Sequence, residues 1–336
     1  MATNGLADRV AAAIAARTGL LDRCHREHTD CYRLLHGIAE DAPGITVDRY
    51  GPLLLVQTFR EALPAPDVAA VHDRVARELG IELAVVCNHR GAPLPADFPA
   101  HVPTPAAAGE HVAHERGASL LVAGRHRGQD PWLFLDLRAG RARLQAAAAG
   151  QRVLNLFAYT CGAGIAAALG GAATVRNVDF AASALAVGER NLALNAIDPE
   201  RCTFLHADCL PVLRQLAGQP VQRRGKHVPF ARVDREPFDW IVLDPPRRAK
   251  TPFGTIDVVA DYGSLFKPAL LALAPGGSIL ATNHVPEVDA TVWHDQLRRC
   301  AQKAGRPLRT LEPIAVDADF PSFDARPPLK MVVASL

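Results

Sequence analysis

The chain has no CxxC pair and no dense framework of cysteines; its seven are Cys24, Cys31, Cys87, Cys161, Cys202, Cys209 and Cys300. That scatter excludes a disulfide-stapled secreted scaffold and fits a reducing cytoplasm. Nor is there any stretch approaching the roughly 18 uninterrupted apolar residues of a membrane span, so a membrane-embedded protein is not expected. The alanine-rich run 10–16 is flanked by Asp8, Arg9 and Arg17 and lacks a cleavage site, which makes it an amphipathic helix and not a secretion signal. An excess of one charge is also missing. The 37 Lys+Arg and 35 Asp+Glu leave +2, too little to announce a polyanionic partner unless basic residues cluster locally. What is present rules out wholesale disorder: 49% hydrophobic residues against 21% charged, in 336 residues, enough for two domains with separate cores.

Residues 1–125 mix a helix, a strand-like segment GITVDRYGPLLLVQTF (44–59), a helix around 67–79 and a strand ELAVVCN (82–88), which together read as a small α+β domain. The proline-rich stretch 91–109 resists regular structure and forms an edge or a linker. Beyond Trp132 the pattern changes. RVLNLFAY (152–159), ATVRNVD (173–179), CTFLHAD (202–208), FDWIVLD (238–244) and GSILATN (277–283) are apolar strands separated mostly by alanine- and leucine-rich helical stretches. This alternation predicts βα units and a parallel sheet covered on both faces. PLRTLEPI (307–314) and PLKMVVASL (328–336) follow with no helix between them, so they pair antiparallel and close the sheet.

In an open parallel sheet the ligand lies beyond the carboxyl ends of the strands, so strand-end residues carry the functional argument. The first strand runs into Ala158, Tyr159, Thr160, Cys161, Gly162, Ala163 and Gly164, small residues that let backbone approach a ligand closely or simply make a tight turn. The second ends in Asp179, about fifteen residues beyond Gly164, an acid able to accept bonds from vicinal ribose hydroxyls or to cap the helix after it. The third ends in Asp208 and Cys209, where a carboxylate serves either an adenine amine or another cap. Asp244, Pro245 and Pro246 end the fourth. Two prolines fix φ, remove two donors and leave carbonyls facing the cleft, an arrangement a dehydrogenase does not need and one that suits a planar amino group.

These residues resemble the class I S-adenosylmethionine-dependent methyltransferases. VLNLFAYTCGAG (153–164), NVD, HAD and VLDPPR are each similar to that group's cofactor and catalytic motifs, and the final antiparallel pair is what its Rossmann-like fold adds to the doubly wound sheet. More narrowly, the chain resembles the bacterial large-subunit ribosomal RNA methyltransferases that include cytosine-C5 and guanine-N7 enzymes. HTDCYRLLHGIAEDAPGITVDRYG (28–51) looks like the opening of their middle domain, and GQDPWLFLDLRAGR (128–141) like the entry into their catalytic domain. The resemblance implies S-adenosyl-L-methionine as cofactor, held by Asn155, Phe157, Tyr159, Thr160, Gly162, Gly164, Asp179, Phe180, Asp208 and Cys209, with Asp136 and Arg138 nearby. It also implies a catalytic group of Asp244, Pro245, Pro246 and Asn283, and a division into an RNA-presenting domain (1–125) and a catalytic domain (126–336).

Two departures matter. The resemblance begins near residue 17, so the family's extra N-terminal RNA-binding domain is not expected. Second, the cytosine-C5 members carry a nucleophilic cysteine after the fifth strand, where this chain has Asn283. Methylating C5 of a pyrimidine requires a thiolate to add at C6, which an amide cannot do; a nitrogen already has a lone pair and needs positioning and proton removal. N-methylation is therefore expected, as in the guanine-N7 members, which also carry Asn there.

The segment 219–236 is rich in arginine, and Arg223, Arg224, Lys226, Arg247 and Arg248 are expected to form a basic rim for RNA phosphates, against the alternative of a solvated loop. Cys24, His28 and Cys31 are spaced for one helical face but make an incomplete zinc set, so no metal is expected. Arg9, Arg17 and Arg23 lie on one apolar helix that caps the first domain or, alternatively, forms an RNA arm. A small-molecule or protein methyltransferase, a nicotinamide oxidoreductase and a non-catalytic RNA-binding protein are the rival readings.

Overall fold

The computed structural model describes residues 5–125, 130–221, 228–324 and 326–336. The chain divides into two compact units: residues 1–136 with 317–326, and residues 137–316 with 327–336.

The first unit begins with helices α1 (Leu6–Ala16) and α2 (Thr18–Arg26), followed by strands β1 (Cys31–His36), β2 (Ile45–Tyr50) and β3 (Leu53–Thr58), helix α3 (Ala65–Leu79) and strand β4 (Ala84–His89). Their sheet has the order β1-β2-β3-β4, antiparallel except for the β3–β4 pair, which α3 joins as a crossover. Helix α3 buries Val68, Val71 and Val75 at helical spacing and stops at Gly80, whose φ of 66° is the left-handed cap a side chain would resist. The segment 44–59, read as one strand, is instead a hairpin. It turns at Gly51, where φ is +57° and a Cβ would lie 2.3 Å from the Val112 carbonyl oxygen. A second hairpin, β5 (Glu110–Glu115) and β6 (Ala118–Ala123), completes the unit.

The expected helix over 9–23 breaks at Arg17, which is 3% exposed. Its guanidinium bonds the Ala13 and Asp319 carbonyls and pairs with Glu40. Arg9 reaches the Asp41 carbonyl and Arg23 pairs with Asp317, so all three arginines tie the unit together. Cys24, His28 and Cys31 do not share a helical face: α2 ends at Arg26, His28 has φ 53°, and Cys31 is a strand residue whose thiol donates to the His114 carbonyl.

The second unit starts with α4 (Arg138–Ala147) and runs through β7 (Arg152–Leu156), α5 (Gly162–Leu169), β8 (Thr174–Asp179), α6 (Ala182–Leu194), β9 (Cys202–His206), α7 (Cys209–Leu216) and β10 (Phe238–Leu243). A short hairpin, β11 (Arg248–Thr251) and β12 (Gly254–Asp257), then leads to α8 (Gly263–Ala272), β13 (Leu273–Asn283), α9 (Ala290–Lys303), β14 (Thr310–Ile314) and β15 (Lys330–Ser335). The sheet order is β14-β15-β13-β10-β7-β8-β9. Strands β13, β10, β7, β8 and β9 are mutually parallel, while β15 is antiparallel to both β13 and β14. This is the Rossmann-like arrangement anticipated for the C-terminal half. Leu154, Leu156, Ile241, Leu243, Ile279 and Ala281 are 0% exposed, which is why these strands read as continuous apolar runs.

Candidate active site

The switch point lies between β7 and β10, whose helical connections leave in opposite directions. Here β7 gives way to a loop that no chain of ordinary residues adopts without help. Phe157, Tyr159 and Cys161 have φ of 56°, 50° and 64°, left-handed backbone at three alternating non-glycine positions. The surroundings impose it. The Ala158 amide donates to the Val178 carbonyl at 3.1 Å, the Tyr159 amide to Asp179 Oδ2 at 2.8 Å, and Asn191 Nδ2 to the Thr160 carbonyl at 3.0 Å. Helix α5 follows with no side-chain cap on its first turn and with residues 163–168 buried.

Beneath the loop a buried polar chain crosses three strands. Asn155, 2% exposed, donates to Asn177 Oδ1 at 2.9 Å, and Asn177 donates to the Thr203 carbonyl at 3.4 Å. A Cβ on Gly164 would sit 2.1 Å from Asn177 Oδ1. Gly164 therefore lets α5 close onto β8, and Asn155 supports the loop from below.

The next two strand ends carry acids of different commitment. Asp179, 5% exposed, accepts from the Tyr159 amide with Oδ2 and from the Ala181 amide with Oδ1, both at 2.8 Å. Phe180, beside it, leaves 61% of its surface exposed. Asp208 caps α7 through Oδ1, accepting from the Leu210 amide at 2.8 Å, while its Oδ2 makes no hydrogen bond among the described residues. The Ala207 amide donates to the Asp179 carbonyl at 2.9 Å, so the two acids end neighbouring strands side by side. Cys209 is buried beneath them. Its sulfur accepts from the Phe157 amide at 3.3 Å, and burial holds its thiol far above the ordinary range. Burial does the same to Cys161, which packs against Gly188.

At the other side of the switch point, β10 ends in Asp244 beside the end of β13, the register being Leu243 against Ala281. Thr282 donates its hydroxyl to Asp244 Oδ1, and Oδ2 is uncommitted among the described residues. Burial raises the Asp244 pKa, opposed by the Thr282 hydroxyl and by the charges of His284 and Arg141. Tyr262, fully buried, props both strand ends, donating to the Thr282 carbonyl at 2.8 Å. Thr282 and Tyr262 escaped the reading of the sequence. Thr282 adjoins the residue singled out there, but nothing in DYGS (261–264) marks a tyrosine that folds back onto another strand.

Asn283 sits differently from expectation. It is 1% exposed, its Oδ1 accepts from the Val285 amide at 3.0 Å, and its Nδ2 donates to the Val258 carbonyl at 3.4 Å. The amide thus knots the turn after β13 to the segment after the β11–β12 hairpin. Arg138 begins α4 at 4% exposure, and Asp136 is the last residue of the first unit before 317–326. Arg247 and Arg248 are exposed, Arg247 pairing with Glu287 at 3.1 Å; Arg223, Arg224 and Lys226 lie outside the described residues. No described helix is long and apolar enough to cross a membrane.

Comparison with known proteins agrees with this geometry. The model of the S-adenosylmethionine-dependent methyltransferase family matches residues 114–334. A ribosomal RNA large subunit methyltransferase of Deinococcus radiodurans is 29% identical over 319 residues, covering 91% of this chain and 72% of the relative. Ribosomal RNA large subunit methyltransferase I of Klebsiella pneumoniae is 28% identical, covering 90% and 72%. Among solved structures, a methyltransferase complexed with SAH superposes with a TM-score of 0.78 at 21% identity, covering 100% of this chain and 83% of that one, a likeness of fold.

Proposed function

Because the chain belongs to the S-adenosylmethionine-dependent methyltransferase family and so is a methyltransferase that uses S-adenosyl-L-methionine, we propose that it acts in the cytoplasm on a base of large-subunit ribosomal RNA, at a nitrogen. Its named relatives methylate that RNA, and the match to them extends over nine-tenths of the chain.

The residues present fit the cofactor. Phe180 offers an exposed aromatic face beside two strand-end carboxylates, the uncommitted oxygen of Asp208 suits an amine, and the uncapped first turn of α5 suits an anionic group. Tyr159, Thr160 and Gly162 line the same loop, and Asp136 and Arg138 lead into the domain that carries it. When bound, S-adenosyl-L-methionine supplies an electrophilic methyl group.

The carrying observation is the acceptor corner. Asp244 is half-buried with one oxygen free, and the residues around it (244–248 and 281–284) include no cysteine. Six of the seven cysteines are buried, and the Cys300 thiol is pushed up by burial, donating to the Gly263 carbonyl. A thiolate attack on a pyrimidine has no candidate there. A base nitrogen needs only to be held in line and relieved of a proton. Asp244, whose proton affinity burial has increased, and the Pro245 carbonyl serve those roles, with Pro246 stiffening the turn and Asn283 fixing the wall behind them. Arg247 and Arg248, with Arg223, Arg224 and Lys226, are the proposed phosphate contacts.

The test is chemical. Protein is incubated with methyl-labelled cofactor and ribosomal RNA from a strain lacking the gene, and the RNA is digested to nucleosides. An N-methylated base is expected; label in 5-methylcytidine overturns the nitrogen assignment.

A further inference from the structure

We propose that the first unit contains a binding pocket for one unstacked nucleotide of single-stranded RNA, with Arg90 and Arg125 holding its phosphate and Phe98 and Leu94 flanking its base. This rests on the RNA-methyltransferase reading above and places substrate recognition in a unit apart from the strand ends that carry the chemistry.

The pocket has a volume of about 440 Å³ and is walled by the end of β4, the proline-rich stretch after it, and Arg125 just beyond β6. Topology explains the convergence. Strands β3 and β4 are parallel, so their carboxyl ends share one edge of the sheet, and ligand-facing side chains collect there. His89 Nδ1 is bonded to Thr58 Oγ1 at 2.7 Å and Arg90 Nε donates to Gln57 Oε1 at 3.1 Å, both across that strand pair. Asn88, 6% exposed, donates to the Gly124 carbonyl at 2.6 Å and accepts from Arg125 Nε at 3.1 Å. A second Arg125 nitrogen donates to the Cys87 carbonyl at 2.9 Å.

The two guanidinium groups are thus pinned by neutral acceptors, and neither forms an ion pair among the described residues. Burial lowers the pKa of Arg90, with Asp130 opposing and the like charge of Arg125 reinforcing the effect. Two cations beside a single carboxylate, Asp130, leave one positive charge in excess that an anion completes, and the forked donors left on Arg90 match a phosphate. The volume is larger than a phosphate needs and lies within the range of small-ligand sites, roughly 300–1,000 Å³.

What fills the remainder is indicated by the walls. Phe98 and the 38%-exposed Leu94 present apolar surface, while the second ring nitrogens of His89 and His101 remain uncommitted for a base edge. An aromatic face beside polar donors is how proteins take up a splayed-out base. Residues 91–97 are all exposed, so the mouth is open to a strand entering and leaving.

The experiment uses the full chain and a fluorescein-labelled single-stranded RNA of twenty nucleotides, read by anisotropy across a salt series, with cofactor affinity by calorimetry as control. Arg90→Gln should weaken RNA binding about tenfold and flatten the plot of log affinity against log salt by about 0.7, the loss of one single-strand phosphate contact. Leu94→Glu, at an exposed position with no folding burden, should weaken it at least as much, and both variants should bind cofactor as the parent does. RNA carrying 4-thiouridine should crosslink to the peptide spanning residues 90–101. If the parent binds and methylates ribosomal RNA while both variants keep its affinity and salt slope, the pocket is refuted and the RNA reading stands. If the parent neither binds nor methylates RNA, both ideas fall; if uridine 5′-monophosphate binds as tightly as the oligonucleotide, the assignment of the pocket to single-stranded RNA falls and the RNA reading stands on methylation alone.

Discussion

The two sides of the switch point are built from the same residue type to opposite ends. On the β7–β8–β9 side, Asp179 spends both oxygens on backbone amides and Asp208 spends one. One of those bonds holds the strained loop at Tyr159 and the others fix the starts of α6 and α7, so the acids are part of the scaffold they serve. On the β10–β13 side, Asp244 receives no backbone donor; a threonine hydroxyl is its one hydrogen bond among the described residues, and burial raises its pKa. A carboxylate surrounded by amides is tamed for binding, whereas one partly desolvated with a single hydroxyl partner is left reactive toward protons.

Replacing the reactive acid tests that contrast most severely. Asp244→Asn keeps an acceptor for Thr282 but removes the proton-accepting group, so turnover should fall about 10²–10⁴-fold with cofactor affinity intact. The same variant has a second signature. A carboxyl whose folded pKa is raised binds protons more tightly in the native state, so it costs stability above that pKa and the cost vanishes as pH falls toward the unfolded value. Asp244→Asn should therefore melt above the parent at pH 7 to 8, with the gap closing on acidification. A variant that melts lower at every pH would mean the carboxylate is structural.

Asp179→Ala removes two charge-assisted bonds, one to the strained loop at Tyr159 and one to the start of α6 at Ala181, and should weaken cofactor binding by about 10–100-fold, measured by calorimetry. Gly164→Ala sharpens the scaffold side of the comparison: a methyl 2.1 Å from Asn177 Oδ1 forces α5 outward, at a cost of about 1–3 kcal/mol in denaturant melts. The smallest effect is expected at Asp208→Ala, where loss of the α7 cap costs about 1 kcal/mol and cofactor affinity drops several-fold. Asn283→Ala should spare cofactor affinity and lower turnover, since its amide ties the acceptor wall to Val258; if cofactor binding is lost instead, the two sides are not separable.

Much of this was legible beforehand. The five parallel strands announced themselves because strands buried on both faces must be apolar throughout, and the acids stood out because each ended such a run. The reading of 44–59 as one strand has an equally physical source: most of β2, Asp48 included, and all of β3 are buried, and the turn between them is only the Gly51-Pro52 pair. The misplaced cysteines of 24–31 fail for the opposite reason. Helical spacing is a pattern in sequence, and the left-handed backbone at His28 ends the helix without leaving a trace in composition.

Local order along the chain, then, was enough to set the strands of the second unit's main sheet, their direction and the acid closing each of three strands, because periodicity and burial act over a few residues at a time; the short hairpins β5–β6 and β11–β12 and strand β1 left no such pattern. The antiparallel insertion of β15 between β13 and β14, the return of 317–326 to the first unit, and the burial of Asn283 under Val258 were decided only on folding. Each joins residues far apart in the chain, and the free energy that selects such contacts exists only once the core between them has closed.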